Sequence, residues 1–267
     1  MTTTAATMDR LLVHLELDRE TPTLDYLHRL VRQHQLCVPF ETLTKLIDWE
    51  PGLARGDFLP PLDLYVERIV TRRAGGLCWT LARGFHALLV DLGFDASLMV
   101  MEPGHCCVRV ELPEGPQYAD VGYAAPLFRA YPLLESFTVT SPRETFAYRV
   151  SEDGIVVTRT PAGPTKQLDP TPRRLADLRD LITAANDWNA PMSFLHRLVY
   201  ATYIDEVYTS YRDGTFRRFP ATGEEKTEIA PDQVATLLAD VFGVDSALYH
   251  EAEAIHRRYR PVPTSAP

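Results

Sequence analysis

The sequence predicts an α+β protein, because its apolar periodicity changes twice along the chain. Apolar residues recur at helical spacing up to about residue 92, at alternate positions from about residue 95, and in a mixture of the two after residue 185. Its 267 residues suffice for one large domain or two to three subdomains around a substantial core. The expected units are therefore 1–92, helical; 93–185, β-rich; and 186–267, mixed α/β.

In the first unit, Thr21-Pro22 offers a helix start, a capping residue followed by Pro at the first position. Leu24, Leu27, Leu30 and Val31 supply its apolar stripe. Pro39 interrupts, Phe40-Glu41-Thr42-Leu43 resumes, and Asp63 to Val70 reads as another helix. Gly75-Gly76-Leu77 then leads into Cys78, after which Leu81, Phe85, Leu88, Leu89 and Leu92 keep helical spacing until Gly93.

In the second unit, Ser97 to Met101, Cys106 to Leu112 and Gln117 to Val121 read as short strands, with a Pro113-Glu114-Gly115-Pro116 turn between the last two. Phe137 to Thr140, Ala147 to Val150 and Ile155 to Arg159 continue the β region, and the Pro-rich stretch Pro161 to Pro172 reads as a surface connection. In the third, Leu195 to Ile204 and Val207 to Tyr211 read as strands, and Asp213-Gly214 signals a hairpin into Thr215 to Phe219. Val234, Leu237, Leu238, Val241 and Phe242 mark a helix stopped by Gly243, and the tail from Pro261 has little to bury.

Hydrophobic content of 45% and charged content of 24% fit a soluble globular chain. A net charge of −9 with short, scattered Arg pairs gives no footprint for nucleic acid, and no apolar run is long enough for a membrane span. The Thr/Ala-rich N-terminus lacks the pattern of a signal peptide, so a cytoplasmic location is the expectation. The four cysteines, Cys37, Cys78, Cys106 and Cys107, form no C-x-x-C pair. A zinc site on Cys78, His105 and Cys106 or Cys107 lacks four-ligand spacing, so no metal is expected.

Cys78 is the informative cysteine. A thiol in the first turn of a helix sits at its partly positive end, which favours the nucleophilic thiolate. A cysteine nucleophile needs a base, and the base an orienting partner. His105, after Gly104 at a strand start, is the candidate base, and Asp120, just before Val121-Gly122 on the next strand, the candidate orienter. A hairpin centred near residues 114 and 115 pairs position 105 with about 124 and leaves Asp120 within diagonal reach. Cys106 and Cys107 read as strand packing, and His86, eight residues after Cys78 on its helix, as structural.

Taken in order, these residues resemble the arylamine N-acetyltransferase family, which carries Arg-Gly-Gly-x-Cys opening a helix, a His at a strand start and then Asp-x-Gly. Here Gly75-Gly76-Leu77-Cys78, His105 and Asp120-Val121-Gly122 match, and Val38-Pro39-Phe40-Glu41 resembles the family's Pro-Phe-Glu-Asn. Leu92-Gly93-Phe94, Pro126-Leu127 and Phe242-Gly243-Val244 extend the resemblance over roughly residues 10 to 245. It implies a helical bundle, a central β-barrel-like domain and a C-terminal α/β lid around a cysteine-protease-like core. It also implies ping-pong acyl transfer from a thioester, acetyl-CoA or another acyl-CoA, through Cys78 to a small-molecule amine, with no tightly bound cofactor.

Phe40, Tyr123, Phe128, Trp188 and Phe194 are candidates to line an aromatic-amine pocket, Phe40, Gly76, Tyr123 and Phe194 are the expected binding residues, and Phe194 with the Asn186 to Ser193 segment lies where the family's substrate-lining region would fall. Four positions depart from the family. Ala74 replaces its Arg, Thr80 an acidic or amide residue, and Ala82 and Thr42 each replace an Asn. If that Arg pairs with the family's Glu, Glu41 needs another partner, and Arg72 or Arg73 is the expected one. Such changes keep open an amide synthase fed by an acyl carrier protein, a hydrolase or transglutaminase-like cysteine enzyme, and a binder that has lost activity.

Overall fold

A computed structural model describes residues 2–161, 163–191 and 193–260, with helices filling the N-terminal third. α1 (Thr2–His14), α2 (Leu24–Cys37), α3 (Leu43–Arg55), α4 (Leu62–Arg72) and α5 (Cys78–Asp91) precede the main sheet. α2 starts later than Thr21-Pro22 suggested, because the Thr23 side chain caps it by accepting from the Tyr26 N–H. Between α2 and α3, Phe40-Glu41 does not resume a helix but forms a two-residue strand, β1 (Phe40–Glu41).

α5 is the central helix. Leu81, Phe85, Leu88 and Leu89 are buried, and Gly84 lets the Tyr65 ring of α4 approach so closely that an added Cβ would lie 2.1 Å from it. Arg68 of α4 holds Asp48 of α3 through two bonds of 2.7 and 2.9 Å in a buried fork-to-fork pair.

The main sheet is antiparallel and has eight strands: β2 (Asp95–Glu102), β3 (His105–Glu111), β4 (Gln117–Ala119), β5 (Tyr131–Pro132), β6 (Phe137–Thr140), β7 (Thr145–Ser151), β8 (Gly154–Thr160) and β9 (Lys166–Arg173). Its order is β5-β4-β3-β2-β9-β8-β7-β6. The edge strands curl towards each other, with Tyr131 of β5 stacked on Phe137 of β6 at 3.9 Å, so the sheet is nearly closed and barrel-like. This helical region beside a barrel-like sheet is the α+β arrangement expected from the sequence.

The stretch from Pro161 to Pro172 is not a plain connection. Its second half is β9, the strand that joins β2 to β8. Two prolines fit there because the pairing jumps from Val100↔Asp169 to Leu98↔Arg173, and the bulge carries Pro170 and Pro172 past the ladder. On β3 the alternation holds. Cys106, Val108 and Val110 join the helical core while Cys107 faces the barrel core.

After α6 (Arg179–Ala184), the stretch expected as one strand from Leu195 begins instead as a 3-10 turn at Phe194–His196, followed by β10 (Val199–Ile204). β11 (Val207–Arg212), β12 (Thr215–Arg218) and β13 (Glu225–Glu228) follow. Asp213 and Gly214 take φ of 48° and 94°, the left-handed pair that a two-residue hairpin needs. β1 pairs with β10, so a segment from the helical region becomes the edge of a five-stranded sheet, β1-β10-β11-β12-β13. α7 (Val234–Phe242), ended by Gly243 at φ 68°, and α8 (Ser246–Tyr259) cover this sheet with α3. The tail from Pro261 lies outside the described residues.

Candidate active site

Cys78 is the first residue of α5. Leu77 at the N-cap makes no side-chain cap, so no side chain competes for the N–H groups of the first turn. Three glycines bring the surrounding chain close. A Cβ on Gly75 would lie 2.1 Å from the Pro39 carbonyl oxygen, and Gly76 takes φ +148° with Thr80 packed against it. A Cβ on Gly122 would lie 2.9 Å from the Cβ of Cys78 and 3.0 Å from the Cys106 carbonyl oxygen. Only glycine lets the segment after Asp120 pass this near the nucleophile's turn.

His105 opens β3 and is 2% exposed. Its Nε2–H donates to Asp120 Oδ2 at 2.8 Å, which leaves Nδ1 for the sulfur. Cys78 Sγ donates to the Gly104 carbonyl at 3.9 Å, the residue just before His105. Asp120 lies beyond β4, whose register of Val108↔Ala119 and Val110↔Gln117 places it nearer position 107 than the hairpin reading suggested. The register therefore runs two residues tighter than 105↔124, and Asp120 reaches His105 along the diagonal.

The Asp120 carboxylate is fully buried and saturated. Oδ2 also accepts from the Tyr118 hydroxyl at 2.5 Å, and Oδ1 from the Gly122 N–H at 2.8 Å. Gln35 of α2 donates to the Asp120 carbonyl at 2.9 Å. Burial alone would lower the His105 pKa, but the charge and hydrogen bond of Asp120, helped by Cys78, raise it to about 9. Burial would raise the Cys78 pKa, but the hydrogen bond and charge of His105 outweigh it and hold the thiol below the ordinary cysteine range. Both shifts favour a thiolate–imidazolium pair.

Tyr123 stacks flat on the His105 ring, at 3.7 Å between centroids and 8° between planes. The Arg159 guanidinium lies 4.4 Å over the same Tyr123 ring, itself gripped by buried Glu144 at 2.7 and 2.9 Å. Imidazole, phenol and guanidinium thus form one packed column. Phe40 and Phe194 meet edge to face at 6.0 Å, and Phe40 bridges to Gly76. Phe128 packs on Tyr203 and Trp188 on Trp49; among the described residues no ring contact joins either of them to the Phe40–Phe194 pair. His86 bonds the Ala96 carbonyl at 3.1 Å, and buried Cys106 and Cys107 are pushed well above the ordinary thiol range by burial.

Glu41 corrects an expectation. It is fully buried and meets neither Arg72 nor Arg73. Its carboxyl accepts from the Thr44 hydroxyl at 2.5 Å, the Thr44 N–H at 2.9 Å and the Gly75 N–H at 3.1 Å. Burial raises its pKa, and those bonds offset part of the rise. Arg72 is drawn away to Asp245 at 2.7 Å, and Ala74 sits in the apolar core.

Sequence reasoning missed several contributors. Tyr118 lies two residues before Asp120 on one strand face, a signal that alternation carries. Gln35, Glu144, Arg159 and Lys45 come from distant elements and leave no local trace. Lys45 donates to the Ala185 carbonyl at 2.9 Å and to Asn186 at 2.6 Å. Burial lowers its pKa to about 8 against the opposing pull of the Cys78 charge. Among the described residues no group of His, Cys, Asp and Glu could hold a metal ion, and no helix is long and apolar enough to cross a membrane.

A family model described as N-acetyltransferase matches residues 23–249. No curated protein matched the chain in sequence. Solved structures resemble it throughout. An arylamine N-acetyltransferase from Mycobacterium abscessus shares 19% identity at a TM-score of 0.77, covering 96% of this chain and 95% of its own. The Mycobacterium marinum enzyme in complex with CoA shares 21% at 0.76, covering 94% and 99%. The Salmonella typhimurium enzyme shares 18% at 0.75, covering 97% and 100%.

Proposed function

The chain belongs to the arylamine N-acetyltransferase family, and from that premise we propose that it moves an acyl group from acyl-CoA to an arylamine through a thioester on Cys78. The observation that carries this reading is the buried His105–Asp120 pair, bonded at 2.8 Å, set beside a Cys78 thiol at the start of α5 whose pKa His105 lowers.

The steps are those of a ping-pong transfer. The Cys78 thiolate attacks the thioester carbonyl, and the new oxyanion meets the Cys78 N–H and a neighbouring amide of the first turn of α5. The C–S bond to CoA breaks, and the leaving thiolate takes a proton from the His105 imidazolium. CoA departs and the amine enters. As the amine attacks the acyl-cysteine, His105 Nδ1 takes the proton that nitrogen loses, Asp120 stabilises the imidazolium through Nε2–H, and the Cys78 thiolate is released. A thioester-to-amide exchange is downhill, so the protein's work is positioning and charge stabilisation. Phe40 and Phe194 offer the aromatic edge for the acceptor, Gly76 lets substrate approach the turn, and Tyr123 sets the plane of the His105 ring.

Intact-mass measurement after incubation with acetyl-CoA tests the reading. We expect one acetyl adduct, absent in Cys78→Ala and discharged by an arylamine. Discharge by water alone would assign hydrolysis instead. An adduct from a carrier-protein or N-acetylcysteamine thioester, but from no short acyl-CoA, would assign an amide synthase.

A further inference from the structure

Two buried ion pairs point their cations at one phenol. Asp120 and Glu144 are the anions, and both carboxylates are fully shielded from solvent. His105, bonded to Asp120 at 2.8 Å, lies flat on Tyr123, at 3.7 Å between centroids and 8° between planes. Arg159, near the end of β8, is bonded to Glu144 at 2.7 and 2.9 Å, and its guanidinium carbon lies 4.4 Å over the same ring. The imidazole already fills one face of the phenol, so the guanidinium takes the other.

Tyr123 is held by its faces and its edge rather than by its hydroxyl. The residue is buried, and its hydroxyl has no hydrogen-bond partner among the described residues. Phe146 meets the ring edge to face at 6.2 Å. Phe146 and Arg159 are cross-strand partners on β7 and β8, so the ladder delivers both to one side of the sheet. Glu144, one residue before β7, fixes where the guanidinium stands by accepting two of its bonds. The same carboxylate accepts from Arg143 at 3.1 Å, and Arg143 donates to the carbonyl of Ala124, the residue after Tyr123, at 2.7 Å.

A single hydrogen bond from Nε2–H leaves the imidazole free to swing about the line to Asp120. A flat partner on one face removes that swing, provided the partner is itself immobile. A cation on the far face of the phenol supplies this, because it is drawn to that face as the imidazolium is drawn to the near one. Left alone, the two cations would repel each other across the ring; Glu144 offsets Arg159 as Asp120 offsets His105. We propose that Arg159, held by Glu144, is a positioning residue that acts through Tyr123 to keep the His105 ring in the plane from which it serves Cys78. The inference rests on the acyl-transfer reading only for the use to which the base is put, and its test reads the thiol alone.

Alkylation of Cys78 by iodoacetamide across pH, read by mass on the Cys78 peptide of the full chain, is the experiment. In Arg159→Met the midpoint is expected to rise by about half a pH unit or more, roughly three-fold in thiol acidity. Both consequences of the change act upward: a ring that strays stabilises the thiolate less, and the bared Glu144 charge opposes it. Arg159→Met/Glu144→Gln removes the two charges together and should still raise the midpoint, now through the ring alone; it also serves if the single variant fails to fold. Tyr123→Leu should raise the midpoint likewise, and Tyr123→Phe and Arg159→Lys should each return part of the rise. Adding Arg159→Met/Glu144→Gln to Tyr123→Leu should shift it no further, because the guanidinium has lost the ring it works through. Arg174→Ala, which breaks an exposed pair with Asp177, should leave it unmoved.

The proposal falls if the charge-balanced variant keeps the wild-type midpoint, whatever its Tm, which would leave Arg159 as barrel packing. It also falls if the shifts add, which would mean that Arg159 acts across space rather than through Tyr123. A chain that shows the shifts but never forms an acyl adduct on Cys78 would overturn the acyl-transfer reading and leave the column standing. One that forms the adduct and shows no shift would overturn the column alone.

Discussion

The sulfur of Cys78 sits where two physical effects oppose each other, and the residues around it decide the outcome. Burial favours the neutral thiol, while the imidazolium of His105 and the Cys106 backbone favour the thiolate. The thiolate exists above the lowered Cys78 pKa, and the imidazolium below about 9. The reactive pair therefore occupies the window between them. Alkylation of Cys78 by iodoacetamide should rise with a midpoint below the free value of about 8.5. In His105→Asn, which removes the cation, the midpoint should move up to or beyond that value; an unmoved midpoint would refute the pairing. Asp120→Asn is the harsher test. Its carboxylate accepts from Nε2–H of His105, the Tyr118 hydroxyl and the Gly122 N–H, and an amide NH₂ would face at least one of these donors. The ring then turns or loses its tautomer, and kcat for amine acylation should fall on the order of 10²–10⁴. A loss below ten-fold would show that Asp120 does not orient the base.

At the scale of elements, the site is a meeting of three backbones that glycine allows. The first turn of α5, the start of β3 and the segment after β4 converge where a Gly122 Cβ would press on Cys78 at 2.9 Å. Gly122→Ala should leave the protein folded, because the crowding is local, yet slow Cys78 acylation about ten-fold or more, as read by intact mass over time. Equal rates would mean that the turn yields freely. This convergence was legible in sequence because each participant carries a local mark: glycines before a helix, a histidine opening an alternating run, and an Asp-x-Gly. β9 was hidden for the opposite reason. Pro170 and Pro172 argue against a strand, and only the bulge opposite Leu98 and Val100 makes room for them. Glu41 was misread for a third reason. Without the family's arginine a second cation seemed necessary, but the hydroxyl of Thr44 and two backbone N–H groups satisfy a buried carboxyl as well.

Across the whole molecule, one residue that ties the helical region to the C-terminal sheet is Thr42, among the departures from the family pattern. Its N–H donates to the Val199 carbonyl at 3.0 Å. Its hydroxyl donates to the Arg197 carbonyl at 2.8 Å and accepts from the Val199 N–H at 2.9 Å. Thr42 is fully buried, and these bonds extend the β1–β10 ladder by one further link. Phe40 precedes it on β1, while Phe194 and Arg197 stand on the segment it grips, so this latch sets how the two aromatic walls face each other. Thr42→Val keeps the volume and removes the hydroxyl, leaving the buried Val199 N–H without its partner and breaking the part-buried bond to the Arg197 carbonyl. The orphaned buried N–H costs about 1–3 kcal/mol, and Tm should drop by several degrees. Cys78 and His105 are held by other contacts, so the alkylation midpoint should stay where it is in the wild type while KM for the arylamine rises several-fold. A variant with unchanged Tm and KM would show that the backbone ladder alone joins the two regions. One with a shifted Cys78 midpoint would show that the latch also reaches the nucleophile.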